Sequence, residues 1–159
     1  IIVIHKKNGG QSDARNAGLE QATGDFVCFV DSDDFIDVTM CEQLLRYQKE
    51  SDADIVGCMF SWYVDGETQT FPWLNKGYKE NYTLSLHDFF MDAVRKQVDW
   101  STCNKIFKRK ILTETFKKGR IYEDFLFLYY TTKAHPKATI VLPAYAVGSV
   151  FLFEYLTAK

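Results

Sequence analysis

Residues 8–35 read NGGQSDARNAGLEQATGDFVCFVDSDDF, and the order of signals within that stretch decides the fold class. Asn8-Gly9-Gly10 is a glycine-bearing loop. Ser12 follows as a candidate N-cap, and a helix is expected to about Ala22 with Ala14, Ala17 and Leu19 as its small apolar stripe. Gly24 ends that helix. Phe26–Val30 is then a continuous apolar run of strand length, as expected for a strand covered on both faces. It stops abruptly at four polar residues, Asp31-Ser32-Asp33-Asp34.

Working outward, Ile1–His5 is short and β-branched and reads as a buried strand entering the loop. Downstream, a second helix is expected over Val38–Glu50 and a strand near Ile55–Phe60. Strand, helix, strand, helix, strand argues for an α/β fold with a mostly parallel sheet flanked by helices. Asp65-Gly66 marks a hairpin turn between Trp62–Val64 and Glu67–Phe71. The alternation ends there. Residues 72–82 read as loop, Ser85 as the cap of a helix over Leu86–Arg95, Asn104–Lys108 as a short strand, Tyr122–Lys133 as a helix and Thr139–Leu142 as a last strand. No repeat interrupts this order, so residues 1–159 are taken as one domain.

Composition narrows the function. Hydrophobic residues make up 47% of the chain, enough to build a packed core. The formal charge of −2 provides no electrostatic footprint for nucleic acid. Basic residues gather in 105–110 and 117–120, where a solvated face is the simpler reading than a phosphate or membrane patch. Cys28, Cys41, Cys58 and Cys103 form no C-x-x-C pair, which fits a reduced, cytoplasmic compartment. No apolar run reaches the roughly 18–20 residues that span a bilayer.

The acidic cluster carries the strongest chemical signal. In open α/β sheets ligands bind at the carboxyl ends of strands, where residues 31–34 fall. Carboxylates crowded there repel one another, and a hard divalent cation, Mg²⁺ or Mn²⁺, offsets that repulsion. An acidic turn capping the next helix is the structural alternative. A calcium loop is excluded by Phe35 and Ile36, and a phosphohydrolase with an aspartyl nucleophile shares the spacing of the two acids. The loop at 8–10 opening a helix brings backbone N–H groups toward an anion, and Arg15 adds a charge-assisted donor, although an ordinary capped helix explains the same residues. Glu123-Asp124 suits the first turn of a helix on dipole grounds alone. His5, His87 and His135 are isolated; Trp62, Trp73 and Trp100 read first as core, with Asp99-Trp100 the pair to watch on an acceptor side.

Taken together, the loop and the acids resemble the central signature of family 2 glycosyltransferases, which have the GT-A fold. That signature runs N-x-G-x-S-x-A-R-N-x-G through a helix and Gly-Asp to a strand ending in D-x-D, and nearly every position of 8–35 matches it. A weaker resemblance continues through Asn104–Arg109 and Gly119–Asp124. It implies a GT-A-like fold and an inverting transfer from a nucleoside-diphosphate sugar, a UDP-sugar first, to a hydroxyl of a glycan or lipid-linked acceptor in cell-surface polysaccharide synthesis. Asp33 would bind the Mn²⁺ or Mg²⁺, Arg15, Asp31 and Ser32 would lie on the nucleotide side, and Asp124 matches the catalytic base, with Glu123 its neighbour. The expected setting is cytoplasmic, at the inner face of the membrane with peripheral association. A non-catalytic nucleotide-sugar-binding module is the alternative. Family members carry further strands and an acidic base-reading segment upstream of the position of Ile1. About two βαβ-type units, on the order of 60 residues, are therefore expected to be missing, with sheet edges left open. Residues 144–159 also lack the arginine-bearing stretch of many relatives.

Overall fold

A computed structural model of the chain describes residues 1–64, 67–69, 82–95, 99–142 and 149–152. In chain order its elements are α1 (Gln11–Gln21), β1 (Phe26–Cys28), β2 (Phe35–Ile36), α2 (Met40–Ser51), β3 (Ile55–Gly57), β4 (Ser61–Val64), β5 (Glu67–Gln69), β6 (Tyr82–Ser85), α3 (Leu86–Val94), β7 (Lys105–Lys108), a single 3₁₀ turn (Arg109–Ile111), α4 (Glu123–Ala134), β8 (Thr139–Leu142) and β9 (Ser149–Leu152).

The main sheet has five strands in the order β1-β7-β3-β8-β6. It is mixed. β7 lies antiparallel between β1 and β3, β3 pairs parallel with β8, and β6 closes the far edge antiparallel to β8. The expected mostly parallel ladder is corrected here: β1, β3 and β8 do share a direction, but β7 is inserted between the first two. Side chains alternate across the pleat, and adjacent residues go to opposite layers. Ile55, Phe107 and Ile140 join Leu86 and Phe89 of α3 and Phe127 and Leu128 of α4 in one buried cluster. Val56, Ile106 and Val141 join Met40 and Leu44 of α2 in the other. Helices therefore cover both faces, which makes the architecture α/β.

Phe116 stacks on Phe127 at 4.1 Å, and Phe29 meets both rings edge-on. Burial of each such ring contributes about 1.5–3 kcal/mol. These aromatics fix segments 29–31 and 116–124 against each other, which matters for the site. A smaller sheet, β2-β9-β4-β5, was not foreseen beyond its hairpin. Trp62 faces Gln69 and Val64 faces Glu67 in the hairpin, as the sequence suggests, while Asp65-Gly66 lies outside the described residues. So does the expected loop up to Asn81; Tyr82 instead begins β6. Of the atypical stretch 144–159, only Ser149–Leu152 is described.

Three local expectations are corrected. Ile1–His5 forms no strand: it finds no ladder partner among the described residues, and Ile1, Ile2 and Val3 remain exposed. An apolar run becomes a strand only where its N–H and C=O groups are paired. Ser12 is not the cap of α1. That position is Gly10, whose φ of 83° suits glycine, and Ser12 is buried inside the helix. The predicted apolar stripe is only partly realised: Leu19 packs against the core and Ala17 is half-buried, but Ala14 is exposed and the buried residues of α1 are Ser12, Arg15 and Asn16. By contrast Ser85 caps α3 as expected, its Oγ accepting from Asp88 N–H at 3.0 Å. β1 is half-buried at the sheet edge, flanked by a groove of about 440 Å³ between it and α1.

Candidate active site

The polar face of α1 explains how the site is assembled. Asn16 uses its whole amide on one backbone position: Nδ2 donates to Phe116 C=O at 2.9 Å, and Oδ1 accepts from Phe116 N–H at 2.8 Å. Ser12 Oγ donates to Lys117 C=O at 3.3 Å. One turn of helix thus docks on the segment leading into α4. Arg15, between those two anchors, is carried inward until its residue is only 9% exposed.

An arginine that deep needs partners, and it has them. Its Nη2 donates to both Asp31 oxygens at 2.9 Å, and its Nη1 donates to Asp124 Oδ1 and, at 3.4 Å, to Glu123. The Phe116 ring lies 5.2 Å beneath the guanidinium. Gln11 Nε2 adds a further donor to Asp31 at 2.9 Å. On the other side, Asp124 Oδ2 accepts from Thr102 N–H at 2.9 Å and from Thr102 Oγ at 3.1 Å. Both oxygens of Asp124 are therefore held, one by a charge and one by a paired hydroxyl and amide. The residue sits in the first turn of α4, directly after Tyr122 and Glu123, with Tyr122 in the left-handed region at φ 58°.

The electrostatics follow from that burial. Desolvation raises the Asp124 carboxyl above the usual aspartate range, and the Arg15 charge and the Thr102 amide oppose the shift without cancelling it. Burial works to deprotonate Arg15, but the Asp124 and Asp31 carboxylates outweigh it and raise its pKa. Cys103, whose thiol lies 3.5 Å from Arg15 Nη2, is pushed up to about 12 by burial and by the Asp31 charge.

Sequence positions 15, 31 and 124 thus converge. Ser32 and Asp33 do not join them: both are exposed. Asp31, Asp34 and Cys103 instead place one ligand atom each within 4.8 Å of one another. The two carboxylates fit a hard divalent cation, and the third position is a buried thiol, a softer donor. Thr102, Cys103 and Gln11 carry no recognisable sequence signal, since single Thr, Cys and Gln residues have no fixed spacing to the acids. His135 is occupied by Thr113 at 3.1 Å, and Trp100 packs edge-on against Phe125 at 5.8 Å. The side chain of Trp62 and all of Trp73 lie outside the described residues.

Comparison with known proteins gives a consistent result. A family model described as glycosyl transferase family 2 matches residues 1–116. The glycosyltransferase GlyG of Streptococcus pneumoniae is 42% identical over 141 residues, covering 78% of this chain and 44% of that protein. The poly(ribitol-phosphate) beta-N-acetylglucosaminyltransferase TarP of Staphylococcus aureus is 31% identical over 130 residues, covering 78% of this chain and 37% of that one. Among solved structures, S. aureus TarS residues 1–349 in complex with UDP-GlcNAc superposes with a TM-score of 0.70 at 23% identity, covering 95% of this chain and 41% of that one. The chain spans less than half the length of each. The likeness to TarS establishes a GT-A-type fold.

Proposed function

The chain belongs to glycosyl transferase family 2, and from that premise we propose that the full-length protein transfers a sugar, with inversion, from a nucleoside-diphosphate donor to a hydroxyl of a glycan or lipid-linked acceptor. The observation that carries the reading is the bridge from Asp31 through Arg15 to Asp124. It joins the acid after β1, on the nucleotide side of the family's pattern, to the acid at the family's base position. TarS in complex with UDP-GlcNAc makes a UDP-sugar the first donor to try, and TarP's name makes a poly(ribitol-phosphate) the first acceptor for a role in cell-surface polysaccharide synthesis.

In this reading Asp124 accepts the proton of the acceptor hydroxyl while that oxygen attacks the anomeric carbon and the nucleoside diphosphate departs. Thr102 and Arg15 fix the carboxylate's direction, and the guanidinium offsets part of the shift that burial imposes on it. Asp31 and Asp34, with the exposed Asp33 of the motif beside them, are the carboxylates that would hold Mn²⁺ or Mg²⁺. Such a cation neutralises charge on a departing diphosphate, a contribution of several kcal/mol. Asp31 and the exposed Ser32 remain on the nucleotide side. No helix among the described residues is long and apolar enough to cross a membrane. The proposed setting is the cytoplasmic face of the membrane, with peripheral association.

The test is UDP release by the full-length protein from a panel of UDP-sugars with Mn²⁺, with and without polyol-phosphate or glycan acceptors. Acceptor-stimulated UDP release supports transfer. Metal-dependent phosphate release from simple esters, without any need for a sugar donor, would replace it with a phosphohydrolase.

A further inference from the structure

The most deeply buried cation among the described residues is not in the bridge. Lys105, at the start of β7, is 1% exposed. Its ammonium carries three protons and finds three acceptors: Asp99 C=O at 3.1 Å, Ser101 C=O at 2.5 Å and Asn104 Oδ1 at 2.7 Å. Asp99 Oδ2, buried and without a hydrogen-bond partner of its own, lies 3.6 Å away as counter-charge, and the Phe89 ring lies at 5.6 Å. The stem has room because β3 presents Gly57 opposite it: a Cβ there would come within 3.4 Å of Lys105 Cγ and 2.8 Å of Leu142 Cδ2.

These contacts do more than satisfy a charge. Asn104 is fixed to the chain after β3, with Nδ2 donating to Cys58 C=O at 2.7 Å and its own carbonyl accepting from Cys58 N–H at 2.9 Å. Lys105 then gathers Asp99 and Ser101 onto that fixed point. Between the two anchors lie Cys103 and, carrying the contact to Asp124, Thr102. It is fully buried, and both of its donors go to Asp124 Oδ2. No described contact of Lys105 reaches Arg15 or Asp31.

We propose that Lys105 is a positioning residue for the transfer step, tying the 99–104 segment to the sheet so that Thr102 holds one oxygen of Asp124 on line with the acceptor. The inference rests on the reading of Asp124 as the base. Without the ammonium, two carbonyls, an amide oxygen and a buried carboxylate lose their common partner, and Thr102 is free to drift. A displacement of about 1 Å at a reacting group costs on the order of a hundredfold in rate.

The experiment compares Lys105→Met, Thr102→Val and Asp124→Asn in the full-length protein, measuring kcat, donor KM and UDP affinity. Lys105→Met and Thr102→Val are expected to lower kcat by roughly 10–100-fold while donor KM and UDP affinity stay within about twofold. Lys105→Arg, which keeps charge and donors, recovers much of that loss. Should Lys105→Met not fold, Lys105→Gln, which keeps two N–H donors but no charge, takes its place. An unchanged kcat in either variant overturns the inference, as does a parallel loss of kcat and UDP affinity, the mark of a purely structural role. If Asp124→Asn is inactive while Lys105→Met turns over normally, only the Lys105 inference has failed. If Asp124→Asn turns over normally, the base reading has failed and takes the inference with it.

Discussion

Arg15 is held between acids that lie 16 and 109 positions further along the chain, and each of them depends on it. Replacing it with methionine keeps the length of the stem but leaves Asp31 and Asp124 crowded without their shared cation. Breaking a buried pair in this way costs roughly 3–5 kcal/mol, so Arg15→Met should lower the unfolding free energy of the full-length protein by that order in a denaturant titration. A loss near zero would mean the acids are solvated. The same pairing governs pH dependence. Because burial raises the Asp124 carboxyl, the acid limb of kcat against pH should have its midpoint above the ordinary aspartate range, since below it the base is already protonated. The matching stability term has the opposite sense. With the folded value raised, Asp124 favours the folded state below its unfolded pKa and loses that contribution as pH rises through the folded one. Asp31 was legible as an acid at a strand end, whereas Arg15 and Asp124 became legible only through the resemblance to the family signature, since a capped helix and a helix start explain the same residues locally. Thr102 and Lys105 were not, since their roles come from a turn that brings a hydroxyl under a carboxylate and an ammonium among carbonyls.

At the scale of elements, α1 is the unusual piece. The sequence places its inward stripe on Ala14, Ala17 and Leu19, because small apolar residues ordinarily pack inward, and of these Leu19 does reach the core. The helix instead turns Ser12, Arg15 and Asn16 inward, since hydrogen bonds to residues 116 and 117 and the charge pairing of Arg15 outweigh burial of two methyl groups. Asn16→Leu should therefore destabilise rather than improve the fold, by about 2–3 kcal/mol, because Phe116 N–H and C=O would both lose their partner in a buried site. Thermal or chemical denaturation checks this, and a gain in stability would show that the apolar reading of the helix was correct after all. Helix α3 and strand β8 were legible for the converse reason: a serine cap and a β-branched run act locally and meet no competing partner. Strands β2 and β9 were not, being short pieces whose identity depends on each other and on β4.

For the whole molecule, the α/β class was readable from alternation, but the mixed sheet was not. β7 follows β6 and α3 in the chain yet inserts between β1 and β3, a long-range choice that no local pattern encodes. That insertion brings residues 99–104 beside the strand end at Asp31 and makes one site from segments far apart in sequence. Ligand binding should then stabilise the fold as a unit. UDP with Mn²⁺ at about 100 times Kd should add about 2.7 kcal/mol and raise the melting midpoint of the full-length protein, whereas UDP alone should do less. Equal midpoints with and without metal would remove the cation from the account.

The most direct test of the central claim is turnover of the full-length protein and its Asp124→Asn variant with the same UDP-sugar and acceptor, UDP affinity being recorded in parallel. The account predicts that the variant binds UDP with near-native affinity and loses transfer by a factor of about 10² or more. Transfer at the native rate by Asp124→Asn would contradict it.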